Sequence, residues 1–105
     1  MGQEPVANLE RAIAAHTEAA TIRRQPGLER DLAETLNSLG NAYVTQAELG
    51  KEPVANLERA MAALKEAATI RREMGLERDL AATLANLGNA YLTQAELGQD
   101  PVANL

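Results

Sequence analysis

Few residues in this chain have types and spacings that could do chemistry. His16 is the only histidine, and there is no cysteine. A metal site needs three or four clustered N, O or S donors, and His16 has no carboxylate four residues on, so no metal ligand is expected. His16 reads as a residue on a helix face. The acids Glu29 and Asp31 recur as Glu77 and Asp79. Each pair opens a helical segment, where carboxylates complement the positive pole of the helix dipole, and this reading is preferred to a catalytic dyad. The doublets Arg23-Arg24 and Arg71-Arg72 form either a small basic patch or a solvated helix end, and flanking acids favour the second. There is no Ser–His–Asp set, P-loop or Gly-rich phosphate cradle. No catalytic residue, no cofactor and no enzymatic activity is therefore expected. Asn41 and Asn89 remain. A side-chain amide offers both a donor and an acceptor, and can hold a peptide main chain without reading its side chains. The same amide can also bond locally within its own helix.

These residues sit in a chain that repeats itself. Residues 3–50 recur at 51–98 with ten substitutions in 48 positions, and a third copy begins at Gln99 and covers seven residues, QDPVANL. Two segment types alternate within each copy. The first, called B here, starts at Pro5 or Pro53, since proline suits the first helical position, whose N–H has no intrahelical acceptor. Leu9, Ala12, Ile13, His16, Ala19, Ala20 and Ile22 follow at helical spacing. Pro26-Gly27, and Gly75 in the second copy, break the chain. The second type, A, carries its acids in the first turn and ends at Gly50 or Gly98, the residue type that most easily turns left-handed after a helix. The spacing predicts helices over about 5–25, 28–49, 53–73 and 76–97, in the order B–A–B–A, with 99–105 as the stub of another B. Breaks of a few residues make sequential neighbours antiparallel hairpins. The expected fold is all-α, an α-solenoid of helix hairpins, with 1–105 as a single domain.

Composition agrees with that class. Of 105 residues 46% are hydrophobic but only 2% aromatic, namely Tyr43 and Tyr91, so alanine and leucine must form the core and helices can approach closely. The net charge of −5 disfavours nucleic acid and anionic membrane surfaces as partners. No run approaches the length of a membrane span and no signal peptide is evident. With no cysteine to bridge, a reducing, cytoplasmic compartment is the expectation.

The A segments carry a motif. Leu36, Leu39, Gly40 and Tyr43 stand as L-x-x-L-G-x-x-Y, and Leu84, Leu87, Gly88 and Tyr91 repeat it. This resembles the tetratricopeptide signature W-x-x-L-G-x-x-Y with leucine for tryptophan. In the B segments Ala60, Leu64 and Ala67 are similar to the small–large–small spacing of that family; the first copy has Ala12, His16 and Ala19, with histidine at the bulky position. The period is 48 residues, against about 34 in the ordinary repeat. The additional residues fall between Tyr43 and Ala60 and between Ala67 and Leu87, and keep helical character. Longer helices are thus expected, similar to long-period variants in bacterial multi-repeat proteins.

Each A segment has two stripes. Leu32, Leu36, Leu39, Tyr43 and Ala47 share one face and are unchanged at Leu80, Leu84, Leu87, Tyr91 and Ala95, so this face is expected to pack, with Gly40 and Gly88 permitting close approach. The other stripe reads Glu34, Asn37, Ser38, Asn41, Val44 and Thr45. Within 28–50 only four positions differ between copies, Glu34/Ala82, Asn37/Ala85, Ser38/Asn86 and Val44/Leu92, and all lie on this stripe with the identical pairs Asn41/Asn89 and Thr45/Thr93. The resemblance implies that the stripe lines a concave groove holding a peptide or protein ligand. A plain solvated stripe that has drifted accounts for the same differences. The main functional expectation is a protein-interaction scaffold using this groove. The alternative is a self-assembling structural module. The stub 101–105 is too short to cover the last A helix, so Leu84, Leu87 and Tyr91 are expected to keep apolar surface exposed. Homo-oligomers then follow by head-to-tail docking of a second molecule's first B helix, or by helix swapping.

Overall fold

The computed structural model describes residues 5–98, and the partial third copy at 99–105 lies outside the described residues. Four α-helices account for nearly all of the described chain: α1 Pro5–Arg23, α2 Glu29–Glu48, α3 Pro53–Glu73 and α4 Glu77–Gly98. No strand occurs among the described residues. The boundaries fall within two residues of those read from the sequence.

The helix ends follow from a few residues. After α2 and α3 the chain closes in the same way. The N–H of Gly50 donates to the Ala47 carbonyl at 2.9 Å and that of Lys51 to Gln46 at 3.1 Å. The N–H of Gly75 donates to Arg72 at 3.1 Å and that of Leu76 to Arg71 at 2.9 Å. This double bond satisfies carbonyls that the helix leaves open, and it needs a left-handed residue after the helix. Gly50 at φ 85° and Gly75 at φ 71° supply it without a Cβ penalty. At the start of α3, Glu52 is itself left-handed at φ 42° and Pro53 opens the helix. The buried Asn56 ties this turn down, its Nδ2 donating to the Lys51 carbonyl at 2.7 Å.

Sequential helices run antiparallel. Arg23 at the end of α1 reaches Thr35 near the start of α2, and Arg71 at the end of α3 reaches Thr83 near the start of α4. The core lies mainly where α3 meets α2. Leu32, Ala33 and Leu36 of α2 pack with Ala63 and Ala67 of α3 and Ala20 of α1, flanked by Ile70. Alanine at the contact lets the axes come close, and Leu64 fills the remaining space directly over Gly40. A Cβ built on Gly40 would stand 2.5 Å from Leu64 Cγ and 2.7 Å from its Cδ2. Leu57 and Leu64 are fully buried, each contributing about 1.5–3 kcal/mol by removal from water. Helix α4 packs on the opposite side of α3 and touches α2. No Cα of α1 comes within 8 Å of a Cα of α3.

One expectation is corrected. The leucine stripe packs fully only in the first copy. Leu36 is 3% exposed, whereas its counterpart Leu84 is 42% exposed and Tyr91 is 45% exposed. Leu80 and Leu87 are half-buried and Ala95 is exposed. Gly88 meets no atom within 4 Å where a Cβ would be placed, so it holds no close contact among the described residues. The reason is geometric: α2 lies beneath α3 on this stripe, while no described element lies on the same stripe of α4. The exposure expected at Leu84 and Tyr91 is thus what the structure shows.

The two glycines therefore answer the same substitution with opposite sign. Gly40→Ala should destabilise by about 1–3 kcal/mol through overpacking against Leu64. Gly88→Ala should stabilise by up to about 1 kcal/mol through helix propensity alone. Urea unfolding of the two variants at low protein concentration measures both.

Candidate functional site

Helices α2 and α4 occupy equivalent places in the two copies and run side by side in the same direction, 37 beside 83 and 86 and 45 beside 93. Between them lies a groove of about 490 Å³ lined by Asn41, Val44, Thr45 and Glu48 from α2 and by Asn86, Asn89, Leu92, Thr93 and Glu96 from α4. Helical period brings these residues together, because steps of three and four keep one stripe on one side. Among the described residues, the side-chain amides of Asn41 and Asn89 have no hydrogen-bond partner, and both residues are exposed. The Asn41 main-chain carbonyl accepts from the Thr45 hydroxyl at 3.1 Å, so local bonding in this stretch is made by threonine and leaves the asparagine amide free. Leu92, 58% exposed, and the half-buried Val44 give the groove an apolar patch. Glu48 and Glu96 make one end acidic, and no cationic residue lines the groove.

The opposite end is closed by a polar network. Asn37 Oδ1 accepts from the Thr83 hydroxyl at 3.0 Å and from Asn86 Nδ2 at 3.2 Å. Thr83, fully buried, accepts in turn from Arg71 Nη1 at 2.6 Å, and the same guanidinium donates to the Asp79 carbonyl at 3.2 Å. Arg71 is buried and its Nε has no partner. This chain of bonds joins α2, α3 and α4 and fixes how far apart the groove walls stand. In the first copy Arg23 makes the same contacts, to Thr35 Oγ1 at 2.6 Å and to the Asp31 carbonyl at 3.4 Å.

Of the residues proposed from sequence, the structure brings Asn41, Val44, Thr45, Asn86, Asn89, Leu92 and Thr93 to the groove. Five others stand elsewhere. Asn37 is held in the bonds to Thr83 and Asn86 and serves the α2–α4 contact. Glu34 and Ser38 line a separate hollow of about 390 Å³ between α1 and α2, with His16, Arg23 and Thr35. Ala82 and Ala85 are exposed on α4 outside the groove lining. These five lie toward the helix N-termini, where the stripe drifts around the helix and α2 already contacts α1. Glu48 and Glu96 were missed, and extending the stripe three residues beyond Thr45 and Thr93 finds them.

The basic doublets are also corrected. Arg71 is not a solvated helix end, and Arg23 is half-buried. Their neighbours differ from one another. Arg24 Nη1 pairs with Glu66 Oε2 of α3 at 2.7 Å, linking the two copies, and this hydrogen bond, then the charge, holds the guanidinium above its ordinary pKa. Arg72 has no ion-pair partner among the described residues. Glu29 accepts from the Gly27 N–H at 3.1 Å, so the first-turn acids serve the helix start. No group of three or more His, Asp or Glu side chains that could hold a metal ion occurs among the described residues. None of the described helices is long and apolar enough to cross a membrane.

No protein-family model matches the chain, and neither a curated protein nor a solved structure matches it.

The network has a measurable weight. Thr83→Val removes the acceptor for a buried guanidinium and the donor to Asn37, and should cost about 1–3 kcal/mol. Thr35→Val should cost less, because water can reach the half-buried Arg23 once its partner is gone. Parallel urea titrations of the two variants give the comparison.

Proposed function

We propose that this chain is a protein-interaction scaffold, two units of a tetratricopeptide-like helical solenoid that binds an extended peptide segment between α2 and α4. The carrying observation is the pair of unpartnered amides, Asn41 and Asn89, at equivalent places on the two walls of one groove. An extended peptide presents main-chain N–H and C=O groups at regular spacing, and each amide can bond both. The layering supports the same reading. α2 and α4 approach each other while α1 and α3 stay apart, so the A-type helices form the inner layer of a curved stack and the B-type helices the outer one. The L-x-x-L-G-x-x-Y motif in both copies and the hairpin order are the further grounds for the family resemblance. The absence of any assembled catalytic or metal-holding group among the described residues is compatible with a binding role.

The groove also suggests a ligand chemistry. Val44 and Leu92 favour one apolar side chain, and Glu48 with Glu96 favours a lysine or arginine beyond it. Two units offer a short contact, so affinity is modest.

Selection of a random peptide library on the chain, followed by calorimetric titration of the selected free peptides, tests this. Selected peptides should pair an apolar residue with a basic one. Asn89→Ala should raise their Kd by about tenfold while leaving Tm unchanged, as befits an exposed side chain that bonds only the ligand. If no peptide is selected, or if Asn89→Ala lowers Tm and leaves Kd alone, the groove is a solvated surface.

A further inference from the structure

The α2–α3 contact is a template for a contact between molecules. Helix α3 presents Ala60, Ala63, Leu64, Ala67 and Ile70 to α2. Forty-eight positions earlier, α1 carries Ala12, Ala15, His16, Ala19 and Ile22, the same face with histidine for leucine. Among the described residues nothing covers this face fully, and Ile22 is 55% exposed. Helix α2 presents Leu32, Ala33, Leu36, Leu39, Gly40 and Tyr43 to α3. Forty-eight positions later, α4 carries the identical residues, from Leu80 to Tyr91, and these are the ones left exposed or half-buried. The molecule thus bears both halves of its own best-packed interface, unpartnered, at opposite ends.

The charges repeat too. Arg24 pairs with Glu66 across the internal contact. The equivalents one unit on are Arg72 of one molecule and Glu18 of the next. Both are exposed, and neither has an ion-pair partner among the described residues.

We infer that α4 of one molecule takes α1 of a second copy in the way that α2 takes α3. The second copy's His16 then lies over Gly88, as Leu64 lies over Gly40, and its Glu18 meets Arg72. The contact is heterologous, since the two faces differ, so it propagates into rings or filaments and does not stop at a two-fold dimer. Histidine in place of Leu64 makes the contact weaker than the internal one, because an imidazole leaves water at greater cost than an isobutyl group. Gly88, free of any neighbour in the single molecule, acquires a purpose: it is the flat place on which the incoming side chain rests.

Sedimentation equilibrium of the 105-residue chain, from micromolar to millimolar protein, tests the inference with four variants. The wild type should show mass rising with concentration beyond that of a dimer. Gly88→Ala, which meets nothing in the single molecule, should raise the association Kd by about tenfold or more while Tm at low concentration holds or rises. His16→Leu should tighten association. Arg72→Glu and Glu18→Arg should each weaken it alone, and an equimolar mixture of the two should recover it, since each head then finds an opposite charge on the other's tail. A strictly monomeric mass at millimolar protein overturns the inference. So does association that ends at a dimer and survives Gly88→Ala, which is the signature of helix exchange. Asn89→Ala should leave the mass unchanged, because Asn89 faces the groove and not this contact, so this inference and the peptide-groove reading can fail independently.

Discussion

The seating of Leu64 on Gly40 is the constraint from which the rest of this molecule follows. A core of alanine and leucine gains little from each side chain, so it must gain from proximity. Without a Cβ at position 40, the leucine can stand almost on the α2 backbone, and the small residues on either side, Ala60, Ala63 and Ala67, let the helices stay close along their length. Gly40 is a poor helix former, costing about 1 kcal/mol against alanine, and the contact offsets that cost through the burial of Leu64. The left-handed glycines at 50 and 75 matter second, since they return the chain on itself soon enough for α3 to reach α2 on one side and α4 on the other.

A second constraint acts at right angles to the first. Apolar packing holds each hairpin, but it does not by itself fix the lateral spacing of α2 and α4. The Arg71–Thr83–Asn37–Asn86 chain does so with directional bonds. Burying a guanidinium is expensive unless its protons are bonded, so any sliding of α4 along α2 breaks bonds in a dry place. The groove at Asn41 and Asn89 is bounded by this network, which is why its walls can remain polar, exposed and unpartnered without the helices closing over it. Stability and recognition are divided along the same stripe. Its N-terminal part is spent on holding two helices together, and its C-terminal part faces outward.

Most of the helical layout was legible in the sequence. Pro5, Pro53, Gly27, Gly50 and Gly75 mark the ends, and the leucine stripe marks the packing side. Seven of the twelve stripe residues reach the groove because period alone places them. What the sequence hid was neighbourhood. Leu36 and Leu84 have the same type, the same flanking motif and the same helical position, yet they differ in exposure from 3% to 42%. Local propensity cannot separate them, since the difference lies in whether another helix is present on that side. Arg71 was misread for a related reason. A cation at a helix C-terminus is the usual dipole complement, and only the return of α4 past the helix end gives it a buried hydroxyl to bond. Asn37 looked like its stripe neighbours, and its use depended on Thr83, 46 positions away, a pairing that no period of three or four reveals.

The differences between the copies now take on a physical meaning. If the two units were wholly equivalent, each position would see the same surroundings and every change would be neutral or harmful in both. They are not equivalent. Asn37 has α4 beside it, and its counterpart Ala85 has no described helix in that place, so an asparagine there would gain no Thr83 and keep only its helix-propensity disadvantage. Leu64 has Gly40 beneath it, and its counterpart His16 has no described backbone at that spot, where a half-exposed imidazole suits water better than a leucine would. Both substitutions put the polar or smaller residue where the neighbour is missing and the bonding or apolar residue where it is present. The repeat is therefore a shared fold adjusted, unit by unit, to what lies beside each helix.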